Sequence, residues 1–338
     1  MRFPQMCGFC RLGKSVVGNL KKGRSLRSPD ASVGAGKVLA GWLWRLMGKK
    51  VALWHAHFEV NWRLRLAGLF AHVIFPTTKD GCRVWERKVR AIGHGIDVAR
   101  FANERGGCGK LGGRSGLKED ERSEDGKGLT LRRSFPQQKE LYSVFDFPQV
   151  PQEPIRFLYA GKITPIKNVH VLVDAARILK ESWDRKFIVD IVGPPTDSAY
   201  DKKLREYIAA KNLSDIVVMH GRVAYSEMPA YYAHATTVVN MCPTGAMDKT
   251  VLEGLASRTL AVVANDAFRE LFGEYAGELT YPYQKAEALA EKIKILFSKS
   301  DEEFARMREF LHERVKAHSS LETRIPIIVN TLKTLWET

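Results

Sequence analysis

Short apolar strands and amphipathic helical stretches alternate along residues 156–263, and this alternation constrains the fold more than any other feature of the sequence. The predicted strands cover residues 156–160, 187–192, 216–220, 237–240 and 260–263, and the predicted helices cover residues 169–180, 201–210, 228–234 and 249–256. This pattern indicates a parallel sheet with helices on both faces, which binds ligands at the carboxyl ends of its strands. The sequence therefore predicts an α/β, Rossmann-like domain in its second half.

The first part of the chain contains a smaller strand, helix, strand unit. Its strands are predicted at residues 51–54 and 71–75, with a helix at residues 62–69 between them. Residues 103–128 carry eight glycines and no apolar periodicity, which predicts a flexible connection. The predicted organisation is a basic segment (1–36), a partial first Rossmann-like domain (37–102), a loop or linker (103–152), a second Rossmann-like domain (153–320) and a C-terminal helix (321–338) placed to pack back on the first domain.

Composition excludes several classes of protein. With 338 residues, 45% of them hydrophobic, the chain can bury two cores without disulfide or metal staples. The five cysteines are odd in number and scattered, which favours a reducing compartment, and no run of apolar residues is long enough to span a bilayer. Because the first thirty residues also lack a secretory signal, we expect a cytoplasmic protein.

The positive charge is concentrated at the N-terminus. Residues 1–50 hold eleven Lys and Arg residues and one acid, Asp30. No nucleic-acid recognition motif or set of stacking aromatic residues accompanies this charge, whereas the adjacent Trp42 and Trp44 are typical of a helix at an anionic membrane surface. We therefore expect peripheral contact with the inner face of a membrane and no nucleic-acid partner.

The pair Cys7 and Cys10 is suggestive of a redox or zinc motif. A zinc site needs four ligands, and the sequence has no second pair of Cys or His residues with matching spacing. Dinucleotide oxidoreductase chemistry is also disfavoured, since no Gly-x-Gly-x-x-Gly turn follows a predicted strand. We expect no metal and no bound cofactor.

Two loops at predicted strand ends carry residues suited to an anion. Lys162 and Lys167 lie five apart after the first strand of the second domain, so both ammonium groups can converge on one diphosphate. Asp248 precedes a predicted helix, whose first amides lie at its positive end. Within that helix, Glu253 is placed to accept the hydroxyls of a ribose. The alternative is that the lysines and Glu253 are solvated surface residues and that Asp248 only caps the helix.

Five segments in this order resemble the retaining glycosyltransferases of family 4, which have the GT-B architecture of two Rossmann-like domains. The segments are His94–Asp97 with Phe101, Tyr159–Lys162 with Lys167, Ile191–Gly193, Val217–Tyr232 with its pair Tyr231 and Tyr232, and the helix 250–257 followed by Ala261–Ala264. The resemblance implies an α/β GT-B fold with parallel sheets and an incomplete first domain. It also implies sugar transfer from a nucleotide diphosphate sugar to a glycan or lipid-linked acceptor, as in envelope polysaccharide synthesis.

The resemblance also assigns roles to individual residues. The residues implied in catalysis are His55, Lys162 and Lys167, where His55 approaches the reacting centre and the lysines bind the donor diphosphate. Those implied in donor binding are Gly161, Gly221, Val223, Asp248, Lys249, Thr250 and Glu253, the last of which binds the ribose. Two positions depart from the family pattern. Gly245 stands where the family has a glutamate near the transferred sugar, and Asp248 replaces a glycine, so Asp248 either contacts the sugar or caps the helix.

These departures and the short first domain leave two hypotheses. One is an active glycosyltransferase. The other is a catalytically impaired or partner-dependent protein of the same fold that binds a nucleotide sugar without turnover.

Overall fold

A computed structural model describes residues 9–12, 15–19, 35–55, 62–77, 82, 85–102, 154–243 and 247–337. The predicted linker, Cys7 and Gly245 lie outside the described residues.

The second half of the chain contains a five-stranded, entirely parallel sheet. Its strands are β5 (Ile155–Ala160), β6 (Phe187–Val192), β7 (Val217–Gly221), β8 (Thr237–Asn240) and β9 (Leu260–Val263), in the spatial order β7-β6-β5-β8-β9. The inner strands are buried along almost their whole length, as expected of strands covered on both faces. The predicted parallel sheet is confirmed.

The helices that cover this sheet follow the predicted order. They are α4 (Val169–Ser182), α5 (Ser198–Ala210), α6 (Met228–His234), α7 (Lys249–Ala256), the short α8 (Arg269–Phe272) and α9 (Ala276–Leu279), α10 (Ala286–Leu296) and α11 (Asp301–Ser319). Helix α5 begins three residues earlier than the apolar periodicity predicts. The reason is Asp197, whose carboxylate accepts the backbone N–H of Tyr200 and so starts the helix.

The first sheet has four strands, β1 (Phe9–Leu12), β2 (Ser15–Asn19), β3 (Val51–His55) and β4 (Val73–Pro76), in that spatial order. Strands β3 and β4 are parallel, as predicted, but β1 pairs antiparallel with β2 and β2 pairs antiparallel with β3. Only two residues separate β1 from β2, and a connection that short permits only an antiparallel pair. The first sheet therefore combines the predicted parallel pair with an antiparallel edge, whose two strands come from the basic segment.

Among the residues that the structure describes, four further helices precede or follow the second domain. They are α1 (Ala35–Leu46), α2 (Trp62–Phe70), α3 (Val98–Ala102) and α12 (Leu321–Glu337). Helix α12 returns to the first sheet, where Leu332 is buried against Ala52, Val73 and Phe75. In the part of the chain that the structure describes, no helix has the length and apolar character needed to cross a membrane.

Candidate functional site

The order of strands in the second sheet creates a crevice between β5 and β8. From β5 the chain adds β6 and β7 on one side, and then β8 and β9 on the other. The loops that leave β5 and β8 therefore diverge at their carboxyl ends, which is the position where doubly wound sheets bind ligands. The two loops that the sequence singled out are these two.

Glycines end three neighbouring strands at this edge. Gly161 donates its N–H to Val192 O (2.9 Å), and Gly193 donates its N–H to Gly221 O (2.8 Å). A Cβ atom on Gly193 would lie 1.8 Å from the carbonyl oxygen of Gly161, so no larger residue fits there without displacing the backbone. The predicted donor-binding residues Gly161 and Gly221 thus end β5 and β7, the two strands that flank β6.

Lys167 reaches across the crevice to Asp248. Its Nζ lies 2.8 Å from Oδ1 and 3.0 Å from Oδ2 of the carboxylate, and both side chains are about a quarter exposed. Burial alone would lower the pKa of Lys167, but the adjacent Asp248 outweighs burial and raises that pKa above its usual value. The Lys162 side chain is exposed, and its carbonyl accepts the Tyr159 hydroxyl (2.8 Å).

Asp248 occupies the N-cap position of α7 but does not cap the helix through its side chain. Its carboxylate instead accepts Lys167 Nζ and the Nδ2 of Asn240, the latter at 2.8 Å. The helix-cap alternative for this side chain is therefore wrong, because the ion pair and the amide take both oxygens away from the helix amides. The cationic Lys249 is exposed at the first position of α7, and Thr250 follows it, half-buried.

Glu253 is buried, with 4% of its surface exposed. The Tyr225 hydroxyl donates to Oε1 (3.0 Å) and the Tyr232 hydroxyl donates to Oε2 (2.9 Å). Burial raises the pKa of Glu253, although the two tyrosine hydrogen bonds oppose that change. The alternative of a solvated surface glutamate is excluded. Each carboxylate oxygen has a second lone pair for a further donor.

Helix α3 from the first half of the chain packs on α7 and carries the partners of Tyr225. The guanidinium of Arg100 lies 4.5 Å from the centroid of the Tyr225 ring, and Arg100 also donates to the Tyr225 carbonyl (3.3 Å). Phe101 makes edge-on contacts with the rings of Tyr225 and Tyr232. Phe101 and Tyr232 belong to segments predicted from the sequence, whereas Arg100 and Tyr225 were not predicted, since neither periodicity nor motif spacing links residues more than a hundred positions apart.

Two histidines from the first half lie at different places. His55 is buried at the carboxyl end of β3, in register with Pro76 of β4. His94 lies near the start of α7. Burial and, to a smaller extent, the charge of Lys249 lower the pKa of His94 to about 4, although the charge of Asp248 opposes this change. The backbone beside His94 is fixed, because Ile96 exchanges hydrogen bonds with Ser319 O and Leu321 N–H between α11 and α12.

Val223 follows Gly221 and is half-buried against the core of the second domain. Just before it, His220 at the end of β7 lies 2.7 Å from the carboxylate of Asp190. That carboxylate also forms an ion pair with Arg156 (2.7 Å). These contacts anchor the strand end from which the Val223 segment departs.

The chain matches the family model described as Glycosyl transferases group 1 over residues 144–314. A curated relative, the D-inositol 3-phosphate glycosyltransferase of Streptomyces griseus subsp. griseus, is 27% identical over 120 residues, which are 34% of this chain and 25% of that protein. The chain therefore spans about a quarter of the length of this curated relative.

Solved structures with the same fold have low sequence identity. The Anabaena protein Alr3699/HepE, in complex with UDP and glucose, superposes with a TM-score of 0.65 at 14% identity and covers 90% of this chain and 77% of its own. A glycosyltransferase from Rickettsia africae has a TM-score of 0.63 at 15% identity, over 93% of this chain and 85% of its own. The predicted α/β fold of GT-B type is confirmed. Because the matched residues 144–314 make up more than half of its length, the chain belongs to the glycosyl transferases group 1 family.

Proposed function

We propose that the protein transfers a sugar from a nucleotide diphosphate sugar to an acceptor hydroxyl, with retention at the anomeric carbon. The observation that carries this proposal is the contact between Lys167 and Asp248, which brings the loop after β5 to the start of α7. A diphosphate at this point would meet the Lys167 ammonium, the exposed cations Lys162 and Lys249, and the first amides of α7. Cations and a helix N-terminus together favour a doubly charged phosphate group.

The chemistry that these groups supply is stabilisation of the leaving diphosphate. In the proposed reaction, the bond between the anomeric carbon and the diphosphate oxygen breaks, and the acceptor oxygen bonds to that carbon on the same face. The acceptor proton passes to an oxygen of the departing diphosphate. Lys162, Lys167 and the first amides of α7 stabilise the negative charge that develops on the diphosphate as its bond to the anomeric carbon breaks. Such preorganised electrostatics is often the largest contribution to catalysis.

The proposed nucleoside subsite is built around Glu253. Its carboxylate is held in place by Tyr225 and Tyr232 and retains lone pairs for the ribose hydroxyls. The segment from Gly221 to Val223 would flank the base. UDP, which the Anabaena protein binds, is the first nucleotide to test. We propose His55 as the residue of the first half that approaches the transferred sugar.

We further propose a hexose as the transferred sugar and a glycan or lipid-linked molecule as the acceptor, in glycan or envelope polysaccharide synthesis on the cytoplasmic side of a membrane. These assignments rest on the family resemblance of the sequence. The geometry of the described residues concerns the donor half of the reaction.

A second candidate function is nucleotide-sugar binding without turnover. It is favoured by the partners that the site residues already have, since Lys167 is paired with Asp248 and both oxygens of Glu253 accept tyrosine hydroxyls. In such a protein, a nucleotide would bind while Lys167 stays paired with Asp248, so Lys167 would not stabilise the negative charge of a leaving diphosphate.

Calorimetric titration of the full chain with UDP, GDP and ADP tests the donor site. We expect one nucleotide to bind and the variant Lys167→Ala to weaken its affinity by tenfold or more. Lys203→Ala removes the same charge from an exposed position on α5 and serves as the control. If no nucleotide binds, or if both variants bind like the parent, the assignment of the donor site is wrong.

Turnover then separates the two candidate functions. The sugar nucleotide that corresponds to the bound base is incubated with the protein, and the first-formed sugar is examined by NMR before its anomers equilibrate. A product with the anomeric configuration of the donor, absent in the double variant Lys162→Ala and Lys167→Ala, supports a retaining transferase. Binding with no release of sugar, with or without glycan or lipid-linked acceptors, supports the binding protein.

A further inference from the structure

A second candidate site lies at the end of the first sheet opposite to His55. There a cavity of about 250 Å³ opens beside the first residues of β4, between the segment 87–90 and helix α12. Its polar walls are formed by His72, Arg87, Lys88, Arg90, Thr331 and Thr334. The lining thus combines three cations, one imidazole and two hydroxyl groups, and it includes no carboxylate.

The positive charge around this cavity is not neutralised by described residues. Burial is the main cause that lowers the pKa of His72, and the nearby charges of Arg45, Lys50 and Lys88 lower it further. Burial and Arg45 likewise lower the pKa of Lys88. Among the ion pairs of the residues that the structure describes, none involves these cations. Like charges held close together without a counterion destabilise one another, and a bound anion would relieve that repulsion.

The local hydrogen bonds hold the cavity walls in place. Lys88 donates to the carbonyls of Gly68 and Leu69 (2.9 and 3.2 Å), so it is fixed by the end of α2. His72 accepts the N–H of Val51 at Nδ1 (3.0 Å), which places the proton of the neutral ring on Nε2 and makes that atom a donor. Guanidinium groups such as those of Arg87 and Arg90 bind phosphate through two parallel hydrogen bonds.

An apolar surface adjoins these cations on helix α1. Trp42, Leu43, Leu46 and Met47 are 47%, 51%, 67% and 56% exposed. Because they stand at positions i, i+1, i+4 and i+5, their side chains share one face of the helix. On the same helix, Arg45 donates to the carbonyl of Phe70 (3.4 Å), immediately after the two carbonyls that hold Lys88. Arg45 and Lys88 thus lie at the same end of the first sheet, with α1 on one face of that sheet and the cavity and α12 on the other.

We propose that this end of the first sheet docks on an anionic membrane and that the cavity receives the phosphate group of a lipid. The apolar side chains of α1 would enter the boundary between head groups and acyl chains, as amphipathic helices with flanking cations do. The arginines and His72 would bind the phosphate, and Thr331 and Thr334, whose hydroxyls donate to carbonyls within α12, would line the cavity beside it. This site lies at the amino end of β4, whereas the donor site faces the carboxyl ends of β5 and β8, so its occupancy does not depend on the proposed transfer reaction.

Vesicle flotation tests the proposal with the full chain. The probes are vesicles of phosphatidylcholine alone and vesicles that also contain phosphatidylglycerol, with inorganic phosphate as a soluble competitor at constant ionic strength. One variant carries Arg87→Gln and Arg90→Gln, and a second carries Leu43→Ser and Leu46→Ser. The control, Lys186→Gln with Lys203→Gln, removes two charges from exposed positions in the second domain. Thermal unfolding of each protein confirms that it is folded.

We expect binding only to the anionic vesicles. The arginine variant should bind about thirtyfold more weakly, because each cation near an anionic surface contributes about 1 kcal/mol. The leucine variant should also bind more weakly, and the control should bind within about threefold of the parent, which corresponds to less than 1 kcal/mol. Inorganic phosphate should reduce vesicle binding by the parent, and it should have no such effect on the arginine variant.

Three results would overturn the proposal. The first is no binding to anionic vesicles, and the second is equal loss in the arginine variant and in the control, which would indicate only a general effect of charge. The third is phosphate binding that needs the arginines but not the leucines, without vesicle binding, which would identify a soluble phosphorylated ligand. Since none of these readouts involves nucleotide or sugar, each is distinguishable from a failure of the proposed transferase activity.

Discussion

Lys167 Nζ and the Asp248 carboxylate form a bidentate contact of 2.8 and 3.0 Å across the crevice between β5 and β8. An exposed pair of this kind contributes little, but here both side chains are three-quarters buried, and Asn240 also donates to the same carboxylate. Asp248 thus already pairs with the Lys167 ammonium group, which the proposed donor diphosphate also needs. Donor binding and the ion pair compete for one cation.

This competition predicts that Asp248→Asn tightens the binding of nucleoside diphosphates. The substitution removes a negative charge beside the phosphate subsite and leaves the Lys167 ammonium without its internal partner. We expect a gain in affinity of about tenfold, measured by calorimetry, since a hydrogen bond to a charged group contributes about 1.5–3 kcal/mol. The unpaired ammonium should lower the free energy of unfolding by about 1 kcal/mol.

The same variant decides between the two roles left to Asp248. If the carboxylate also contacts the transferred sugar, Asp248→Asn should weaken binding of the nucleotide sugar relative to the nucleotide alone. If it acts only through Lys167, both ligands should bind more tightly by the same factor. Weaker binding of both ligands would contradict the competition.

A second prediction concerns the two tyrosines that bind Glu253. Tyr225 is 53% exposed and donates to Oε1, whereas Tyr232 is fully buried and donates to Oε2. Tyr225→Phe removes one of the two donors that hold the carboxylate in place, so it should weaken nucleotide binding about threefold to tenfold, by the loss of one neutral hydrogen bond. Its free energy of unfolding should change by less than about 1 kcal/mol.

Tyr232→Phe is the matched comparison. It removes the same hydroxyl but leaves Oε2 buried without that donor, so it should destabilise the fold by about 1–3 kcal/mol. Denaturant unfolding of the two variants, alongside titration with the bound nucleotide, measures both effects. Equal stability of the two variants would contradict the difference in burial between the two hydroxyls, and unchanged or tighter nucleotide binding by Tyr225→Phe would contradict the role of Tyr225 in holding Glu253.

The fold of the second domain could be predicted almost completely because its signals are local. Five of its elements, β6, α6, β8, α7 and β9, have the predicted bounds, since a buried parallel strand is a short apolar run and a covering helix has an apolar face. The first sheet could not be predicted in the same way. Strands β1 and β2 lie in the basic N-terminal segment, and the antiparallel pairing of β2 with β3 joins residues more than thirty positions apart.

The sequence predicted where the site lies but not which side chains hold one another there. The strand-end loops containing Lys167 and Asp248 follow from topology, whereas their ion pair depends on the crossing of the loops 81 residues apart. Arg100 and Tyr225 were missed for the same reason, because their contact forms only when α3 packs on α7. Glu253 was predicted as a binding residue, but its two tyrosine partners come from a different loop and helix.

A third prediction concerns the glycine pair at the ends of β5 and β6. In Gly193→Ala the new methyl group would meet the Gly161 carbonyl oxygen at 1.8 Å, in a backbone conformation with φ of +143°. We expect a loss of at least about 2 kcal/mol in the free energy of unfolding and weaker nucleotide binding, since the loop of Lys162 must shift. Gly277→Ala on α9, where a methyl group meets nothing within 4 Å, should be neutral or slightly stabilising. Equal stability of the two variants in denaturant would contradict the close approach of the two strand ends.

The last prediction follows from His94, whose pKa is lowered to about 4 by burial and by Lys249. An unfolded histidine binds its proton near pH 6.5, so between pH 6.5 and 4 the unfolded chain holds more protons than the folded one. The stabilising contribution of His94 should therefore be complete above pH 6.5 and fall as the pH decreases toward 4, by on the order of 3 kcal/mol.

Burial also lowers the pKa of His72 and His312, so the parent's curve includes their contributions in the same direction. The variant His94→Gln isolates one site, and its urea unfolding curves at a series of pH values should show a distinctly smaller loss than the parent's. His318→Gln, which replaces an exposed imidazole, is the control and should follow the parent. Parallel curves for His94→Gln and the parent would mean that His94 is not held neutral by its position beside α7. A bound diphosphate would add negative charge near His94, so saturating nucleotide should raise the pKa of its imidazole, as NMR titration of the ring protons would show.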